Sequence, residues 1–400
     1  MKLRDVFWGV AVLVVAVITF GLGVYTDQAF PDVMPYLAHH SAGRVDTSEL
    51  QQAIRVIQAD YVDGNLDTTK LSHGTVQGLI ASLNDPFSAY YDPAAYKRLQ
   101  DVYTGHYSGI GIYLSFNTNA YPTITGTVPG SPAAAAGLQS DDQIVKVGDK
   151  DLKGLTSDQA STLIQGPNGS KVTLTIQRGA QTFSVTITRA EIQVPSVRST
   201  TIADHILYVR LYQFTTTTTD EMHAALVSGL PGAKGMVLDL REDPGGFIDQ
   251  ADHVISEFVA SGETFELHDR FGTIDKHTVS GEHLAATIPL VVLVDANSAS
   301  AAEIVAGSLQ VHQRAKLVGT VTFGKGSVQQ DFPLNDGADI HLTVKRWYLP
   351  NGVTIDHKGL TPDVTVPLAS TNDQFDVQQP ANGYAKDTQL NAALSVLAAG

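Results

Sequence analysis

A serine, a lysine and a glutamine stand in two short runs that together offer a nucleophile, a base and an orienting amide with no need of histidine. Ser300 lies in Asn297-Ser298-Ala299-Ser300-Ala301-Ala302-Glu303, just after the apolar run at 288–294. Lys325 and Gln329 lie in Thr322-Phe323-Gly324-Lys325-Gly326-Ser327-Val328-Gln329, with Lys325 25 positions beyond the serine. A serine hydroxyl is a weak nucleophile until a neighbour takes its proton. A lysine can do this only when uncharged, and apolar surroundings favour that state. Val321, Phe323 and Val328 would supply such surroundings around Lys325, and Gln329 would hold the amine as the third member of a triad holds the base.

Each residue also has an ordinary reading. Ser300 with Glu303 fits the S-x-x-E capping box that opens a helix over 300–309. The two roles are compatible, because a serine where a strand meets a helix sits by free amides and the positive end of the helix dipole. Lys325 alone reads as a solvated loop lysine. The run Gly319 to Gly326 resembles G-x-x-x-x-G-K, but Gly326 stands where a phosphate loop needs Ser or Thr, so nucleotide binding is set aside. His312 with Asp239 and Ser300 is the rival triad, yet no G-x-S-x-G elbow accompanies it. No H-E-x-x-H or comparable spacing suggests a metal, and no cofactor is implied.

The residues around these runs place them on elements. Alternating apolar runs (236–240, 290–294, 316–321) and helical patterns (248–259, 301–311) indicate an α/β core with a partly parallel sheet. Pro244-Gly245-Gly246 forms a turn between strand and helix, and its glycines let backbone amides approach a ligand. A polar tract at 215–219 ends in Asp220, which can cap a helix over 221–230, and a terminal helix is expected over 387–397. From about 103 to 189 the texture changes to short strands and Gly-rich turns, including Gly109-Ile110-Gly111-Ile112. Before that, Leu50, Ile54, Ile57 and Tyr61, and then Val76, Leu79, Ile80 and Leu83, recur at helical spacing up to the breaker Asn84-Asp85-Pro86.

The chain resembles the carboxyl-terminal processing peptidases, or tail-specific proteases, whose serine lies in an S-A-S-A-x-E-I run and whose lysine lies in a T-F-G-K-G-x-V-Q run. The resemblance covers roughly residues 45–397 and includes Leu238-Asp239-Leu240-Arg241-Glu242-Asp243-Pro244-Gly245-Gly246, Gly359-Leu360-Thr361-Pro362-Asp363 and Asp387-Thr388-Gln389-Leu390. It implies a serine endopeptidase with Ser300, Lys325 and Gln329 as the catalytic set. It also implies an oxyanion hole from the amides of Gly246 and Ala301. Where the family often has Asn before Pro-Gly-Gly, this chain has Glu242-Asp243. The block at 103–190 resembles a PDZ domain. In that family, backbone amides of a loop corresponding to Gly109, Ile110, Gly111 and Ile112 receive the carboxylate of a peptide tail that adds as a strand.

Composition and charge narrow the partners. The 400 residues, 43% of them hydrophobic, have room for two or three domains. Lys and Arg number 26 against 41 Asp and Glu, a net charge of −15 that opposes binding to phosphate backbones, so nucleic acid is not an expected partner. With no cysteine, redox compartment cannot be read. Lys2 and Arg4 precede an uncharged apolar run over 6–25, about the ~20 residues that span a bilayer. The basic flank stays in the cytoplasm and puts the bulk of the chain on the other side of the membrane. A cleaved signal peptide competes, because Gly21-Leu22-Gly23 puts small residues near the end of the run.

The expected organisation is therefore an α/β and α+β multidomain chain. It comprises a transmembrane anchor (1–25), a linker (26–45), a helical region (46–100) that is the candidate surface for a homodimer, a β-rich PDZ-like domain (103–190), a protease core (191–368) and a C-terminal tail and helix (369–400). Its expected partners are protein or peptide substrates, held by their tails, and the membrane. Two other readings stay open: a catalytically silent membrane-anchored PDZ scaffold, and a hydratase-like α/β enzyme acting on acyl thioesters.

Overall fold

The computed structural model describes residues 45–116, 120–128, 130–370, 373–377 and 383–399. The expected anchor over 6–25 lies outside the described residues, as does the linker up to residue 44. Among the described residues no helix is long and apolar enough to cross a membrane. The chain divides into two compact units, Met1–Leu71 and Ser72–Gly400. In the first, the periodic row Leu50, Ile54, Ile57 lies on the helix Ser48–Asp60. The helix Thr68–Ala81 begins there and runs into the second unit.

Among the described residues the larger unit holds four sheets, of which the two six-stranded ones pack around separate cores. In the first, the antiparallel order is Ile112–Ser115, Thr123–Thr127, Gln143–Val147, Lys171–Arg178, Gln181–Thr188. Alternation along Lys171–Arg178 sends Val172, Leu174 and Ile176 into a core with Ile110, Ile124, Ile144 and Leu152. The helix Ser157–Ile164 opens on Thr156, whose hydroxyl accepts from the Gln159 N–H at 3.3 Å. Ile112–Ser115 is an edge strand, with one side unpaired in this sheet.

The second body is a six-stranded sheet in the order Val197–Ile202, Ile206–Leu211, Gly235–Asp239, Leu290–Val294, Lys316–Gly319, Val364–Thr365. Every pairing except the first is parallel, the partly parallel sheet expected from the alternation of strands and helices. Its central strands are buried along their whole length, as strands covered on both faces must be. The helices Ile248–Phe258 and Ala301–Val311 pack into the core on one face. The terminal helix Thr388–Ala398, capped by Asp387 through the Leu390 N–H at 2.9 Å, puts Leu390 and Ala393 into the core of the other. The helix expected over 221–230 starts earlier, at Thr218, with Asp220 inside its first turn rather than at its cap.

A third sheet, antiparallel throughout, joins distant parts of the chain: Ala89–Tyr91, Asp339–Tyr348, Glu263–Asp269 and Ile274–Thr278 in order, with Ser327–Pro333 also paired to Asp339–Tyr348. The strand Ala89–Tyr91 therefore packs with the protease core, although the sequence pattern around it belongs to the helical N-terminal region. The helix Pro93–Thr104 follows it, capped by Asp92 and with proline in its first turn, a signal the periodicity alone did not expose.

Candidate active site

Ser300 stands at the end of the buried strand Leu290–Val294 and its turn, as the N-cap of the helix Ala301–Val311. Its backbone has φ 54° and ψ −116°, a conformation that residues other than glycine rarely take. Such strain persists only where surrounding structure enforces it. Here the enforcement is visible. The Ala299 N–H donates to the Asp243 carbonyl at 2.9 Å, Ser298 Oγ donates to the Leu240 carbonyl at 2.8 Å, and the Phe323 N–H donates to the Ser298 carbonyl at 3.1 Å. The serine turn is thus stitched to the Pro-Gly-Gly turn on one side and to the lysine loop on the other.

The glycines at 245 and 246 are required by space. A Cβ at Gly245 would lie 2.8 Å from Ser300 Cβ and 2.9 Å from Ala301 N, and one at Gly246 would lie 2.1 Å from the Phe214 carbonyl oxygen. The Pro-Gly-Gly turn therefore lies directly against the start of the serine helix. Among the described residues, the N–H groups of Gly246 and Ala301 donate to no protein acceptor, whereas the Gly245 N–H donates to Asp243 Oδ1 at 2.8 Å.

Glu303 has a larger part than the capping motif suggests. Its carboxylate is buried and accepts from the N–H of Ser300 at 2.9 Å, of Lys325 at 2.9 Å and of Gly324 at 2.7 Å, and from Thr322 Oγ1 at 2.5 Å. One side chain so joins the serine helix to the lysine loop. Burial raises its pKa, and the four donors pull against that rise. The Lys325 carbonyl accepts from Trp347 Nε1 at 2.8 Å.

The lysine backbone is pinned, but its amine is differently placed. Lys325 Nζ sits over the Phe87 ring, 5.1 Å from the centroid, and among the described residues it makes no hydrogen bond to Ser300 or Gln329. Val321 and Phe323, expected to wrap the amine, are turned to solvent at 44% and 54% exposure. The sequence neighbours of a loop lysine need not face it, and Phe87 from the turn before Ala89–Tyr91 supplies the apolar contact instead. Burial lowers the Lys325 pKa, opposed by the charges of Asp85 and Glu303. Gln329 Nε2 donates to Ser327 Oγ at 2.9 Å and Thr343 Oγ1 at 3.0 Å.

These parts surround one cavity of about 470 Å³, lined among others by Gly245, Gly246, Ser300, Lys325 and Gln329. The rival triad is not assembled. His312 Nε2 pairs with the Glu263 carbonyl at 2.7 Å, and Asp239 is taken up by Tyr208, Arg210 and Arg241.

The Gly-hydrophobe-Gly-hydrophobe loop lies at a separate cavity of about 170 Å³, between the edge strand Ile112–Ser115 and the helix Ser157–Ile164. Ile110, Gly111 and Ile112 line it, with Tyr107, Ser161 and Ile164, while Gly109 does not. An edge strand and a helix flanking an apolar slot can take an extended peptide as an added strand. Tyr107 lines the cavity beside the loop. Burial, followed by Tyr113, raises its hydroxyl pKa to about 12 against the pull of the Ile112 and Gly111 N–H groups.

Known proteins match this architecture. Residues 205–366 match peptidase family S41, residues 123–178 the PDZ domain, and residues 31–95 the activating protease CtpB N-terminal domain. A putative S41 protease from Bacteroides fragilis shares the fold, with a TM-score of 0.56 at 20% identity over 90% of this chain and 98% of that one. The chain is 36% identical over 336 residues to a carboxy-terminal-processing protease of Bartonella bacilliformis, covering 81% of this chain and 77% of its relative. It is 35% identical over 331 residues to the carboxy-terminal processing protease CtpA of Bacillus subtilis, covering 82% and 70%. Identity of this extent over most of both chains means that the protein belongs to the carboxy-terminal processing protease family, as a serine peptidase with a PDZ domain.

Proposed function

We propose that Ser300, Lys325 and Gln329 are the catalytic set of an endopeptidase that cuts near the C-terminal tails of protein substrates. Ser300 Oγ attacks the scissile carbonyl carbon while its proton passes to the neutral Lys325 Nζ. The oxyanion faces the N–H groups of Gly246 and Ala301, the C–N bond breaks, and Lys325 returns the proton to the leaving amine. Water then releases the acyl group by the same route. Gln329 orients the amine. The observation that carries this reading is the enforced backbone of Ser300 beside two undonated N–H groups, in the cavity that also receives Lys325.

The PDZ loop at Gly109, Ile110, Gly111 and Ile112 captures the substrate's terminal carboxylate, and tail binding moves that domain so that Lys325 reaches Ser300. The resting amine on the Phe87 ring supports such a gate. The same reading assigns residues 1–25 to a membrane anchor, 26–45 to a linker, 46–100 to a helical region that pairs two copies, 103–190 to the PDZ domain, 191–368 to the protease core and 369–400 to the tail. It places the catalytic part outside the cytoplasm, in the periplasm or at the cell surface, with a cleaved, secreted form as the alternative. The apolar run over 6–25 and the periodic row Leu50, Ile54, Ile57 support these parts.

The test is incubation of the full chain in detergent with an unstructured protein ending in apolar residues, beside Ser300→Ala and Lys325→Ala. Cleavage by the parent alone is expected, and equal cleavage by either variant removes that residue from the mechanism. An intact substrate bound by its tail would instead identify a scaffold.

A further inference from the structure

The turn at residues 84–88 stops the helix Thr68–Ala81 and leads into the strand Ala89–Tyr91, and its Phe87 ring meets Lys325 Nζ. Asp85 holds the turn closed, accepting from the Phe87 N–H at 3.0 Å and from Ser88 Oγ at 2.6 Å. Ser88 Oγ accepts from the Thr343 N–H at 3.0 Å, and Thr343 Oγ1 accepts from Gln329 Nε2 at 3.0 Å. The strand beyond is fixed by pairing Ala89 with His341 and Tyr91 with Asp339. Phe87 is therefore held from both ends, and its ring face is where Lys325 Nζ rests, 5.1 Å from the centroid.

We propose that Phe87 is a positioning residue for the reaction: its ring holds Lys325 in the ammonium form off Ser300, and the amine must leave the ring to take the serine proton. The inference rests on Lys325 being the base, as set out under the proposed function. Its physical ground is that a ring face attracts a cation and does little for a neutral amine, so the contact favours the protonated state over the working one. The charged groups facing the amine, Asp85 on the same turn and Glu303 on the serine helix, act in the same direction. Burial acts the other way. Phe87 thus sets both where the amine waits and how readily it gives up its proton, and the Ser88–Thr343–Gln329 chain holds that turn to the rest of the site.

The experiment is the pH profile of kcat/KM for the full chain carrying Phe87→Leu, the parent, and Phe87→Trp. That ratio reports the free enzyme, in which the contact is made. Leucine keeps an apolar side chain without a ring face, and tryptophan offers a stronger one. The rising limb is expected to fall in the order Leu, Phe, Trp from low to high pH. Below the parent's midpoint, the leucine variant is expected to be about three- to tenfold more active. Phe87→Met replaces the leucine variant if thermal melting shows the latter to be unfolded. Three coincident limbs, or a loss in the leucine or methionine variant that is uniform in pH and unrelieved by tryptophan, overturn the inference. Lys325→Ala separates the two levels. If it is inactive while the limbs coincide, only the role of Phe87 fails, whereas if it is as active as the parent, the base assignment fails.

Discussion

The parallel sheet that carries the serine and the antiparallel sheet beside the lysine loop are built to different standards. In the first, the strands Ile206–Leu211, Gly235–Asp239 and Leu290–Val294 are buried throughout. The carboxylate at the centre of that body, Asp239, is fully partnered, whereas Asp243 beside it keeps Oδ2 without a partner among the described residues. Asp239 accepts from Tyr208 at 2.5 Å, Arg210 at 2.9 Å and Arg241 at 2.6 Å, and Arg241 reaches on to Asp387 at 2.9 Å. Burial would raise the Asp239 pKa, but the two guanidinium groups hold it well below the usual carboxylate range. In the second sheet, most of Asp339–Tyr348 and Ser327–Pro333 is half-buried or exposed. Its buried Asp339 has no hydrogen-bonded partner for either carboxyl oxygen among the described residues. Ser300 is placed by backbone and core, whereas the amine of Lys325 lies on the Phe87 ring.

The largest effect is expected on the serine side. Ser300→Ala is expected to lower kcat by about 10⁴-fold or more with little change in folding, measured by single-turnover cleavage and thermal melting. Gly246→Ala comes next, because its Cβ cannot coexist with the Phe214 carbonyl. The turn must shift and carry its N–H away, so kcat should fall by roughly 10²–10³-fold with a smaller change in KM. A variant with parent kcat would show that the turn is not a fixed donor. On the lysine side the effect should be milder. Gln329→Ala removes bonds to Ser327 and Thr343 and leaves the Lys325 backbone held by Glu303 and Trp347. A loss of about tenfold in kcat is expected. A loss matching Ser300→Ala would mean that the lysine side is as rigidly specified as the serine side.

Legibility in the sequence followed the same division. Ser300 with Glu303 and the Pro-Gly-Gly turn could be read because each is a short-range pattern whose geometry is set within a few residues, by a cap or by a turn. The alternation of apolar runs with helical periods likewise indicated the parallel sheet. The setting of Lys325 could not be read that way. Val321 and Phe323 are its neighbours in sequence but face water, and the ring that meets its amine comes from Phe87, delivered by the pairing of Ala89–Tyr91 with the strand Asp339–Tyr348. No local signal encodes a contact between segments so far apart. Glu303 was visible as a capping residue, but its bonds to Thr322, Gly324 and Lys325 depend on the loop folding back over the helix. The PDZ loop was legible from its glycines, while the place of Tyr107 in its cavity was not.

The smallest expected effect tests the difference between the two buried carboxylates directly. Asp339 has no exposed surface, and its pKa rises from an ordinary 3.8 to about 6. Burial is the main cause, followed by repulsion from Asp331, with His341 and the Phe332 N–H pulling the other way. Between about pH 4 and 6 the folded protein keeps a proton that the unfolded chain has lost, so stability falls as pH rises through that window and stays lower above it. Asp339→Asn removes the titration and keeps the shape. The two proteins should unfold at similar urea concentrations near pH 4, and the asparagine variant should be more stable by on the order of 2 kcal/mol above pH 7. Asp239→Asn should do the reverse, destabilising at neutral pH, because it leaves buried Arg210 without a carboxylate among the described residues and Arg241 with Asp387 alone. If both substitutions moved stability in the same direction at pH 7, the two sheets would not differ in how they hold buried charge. The looser character of the lysine side would then have to come from the Phe87 contact alone.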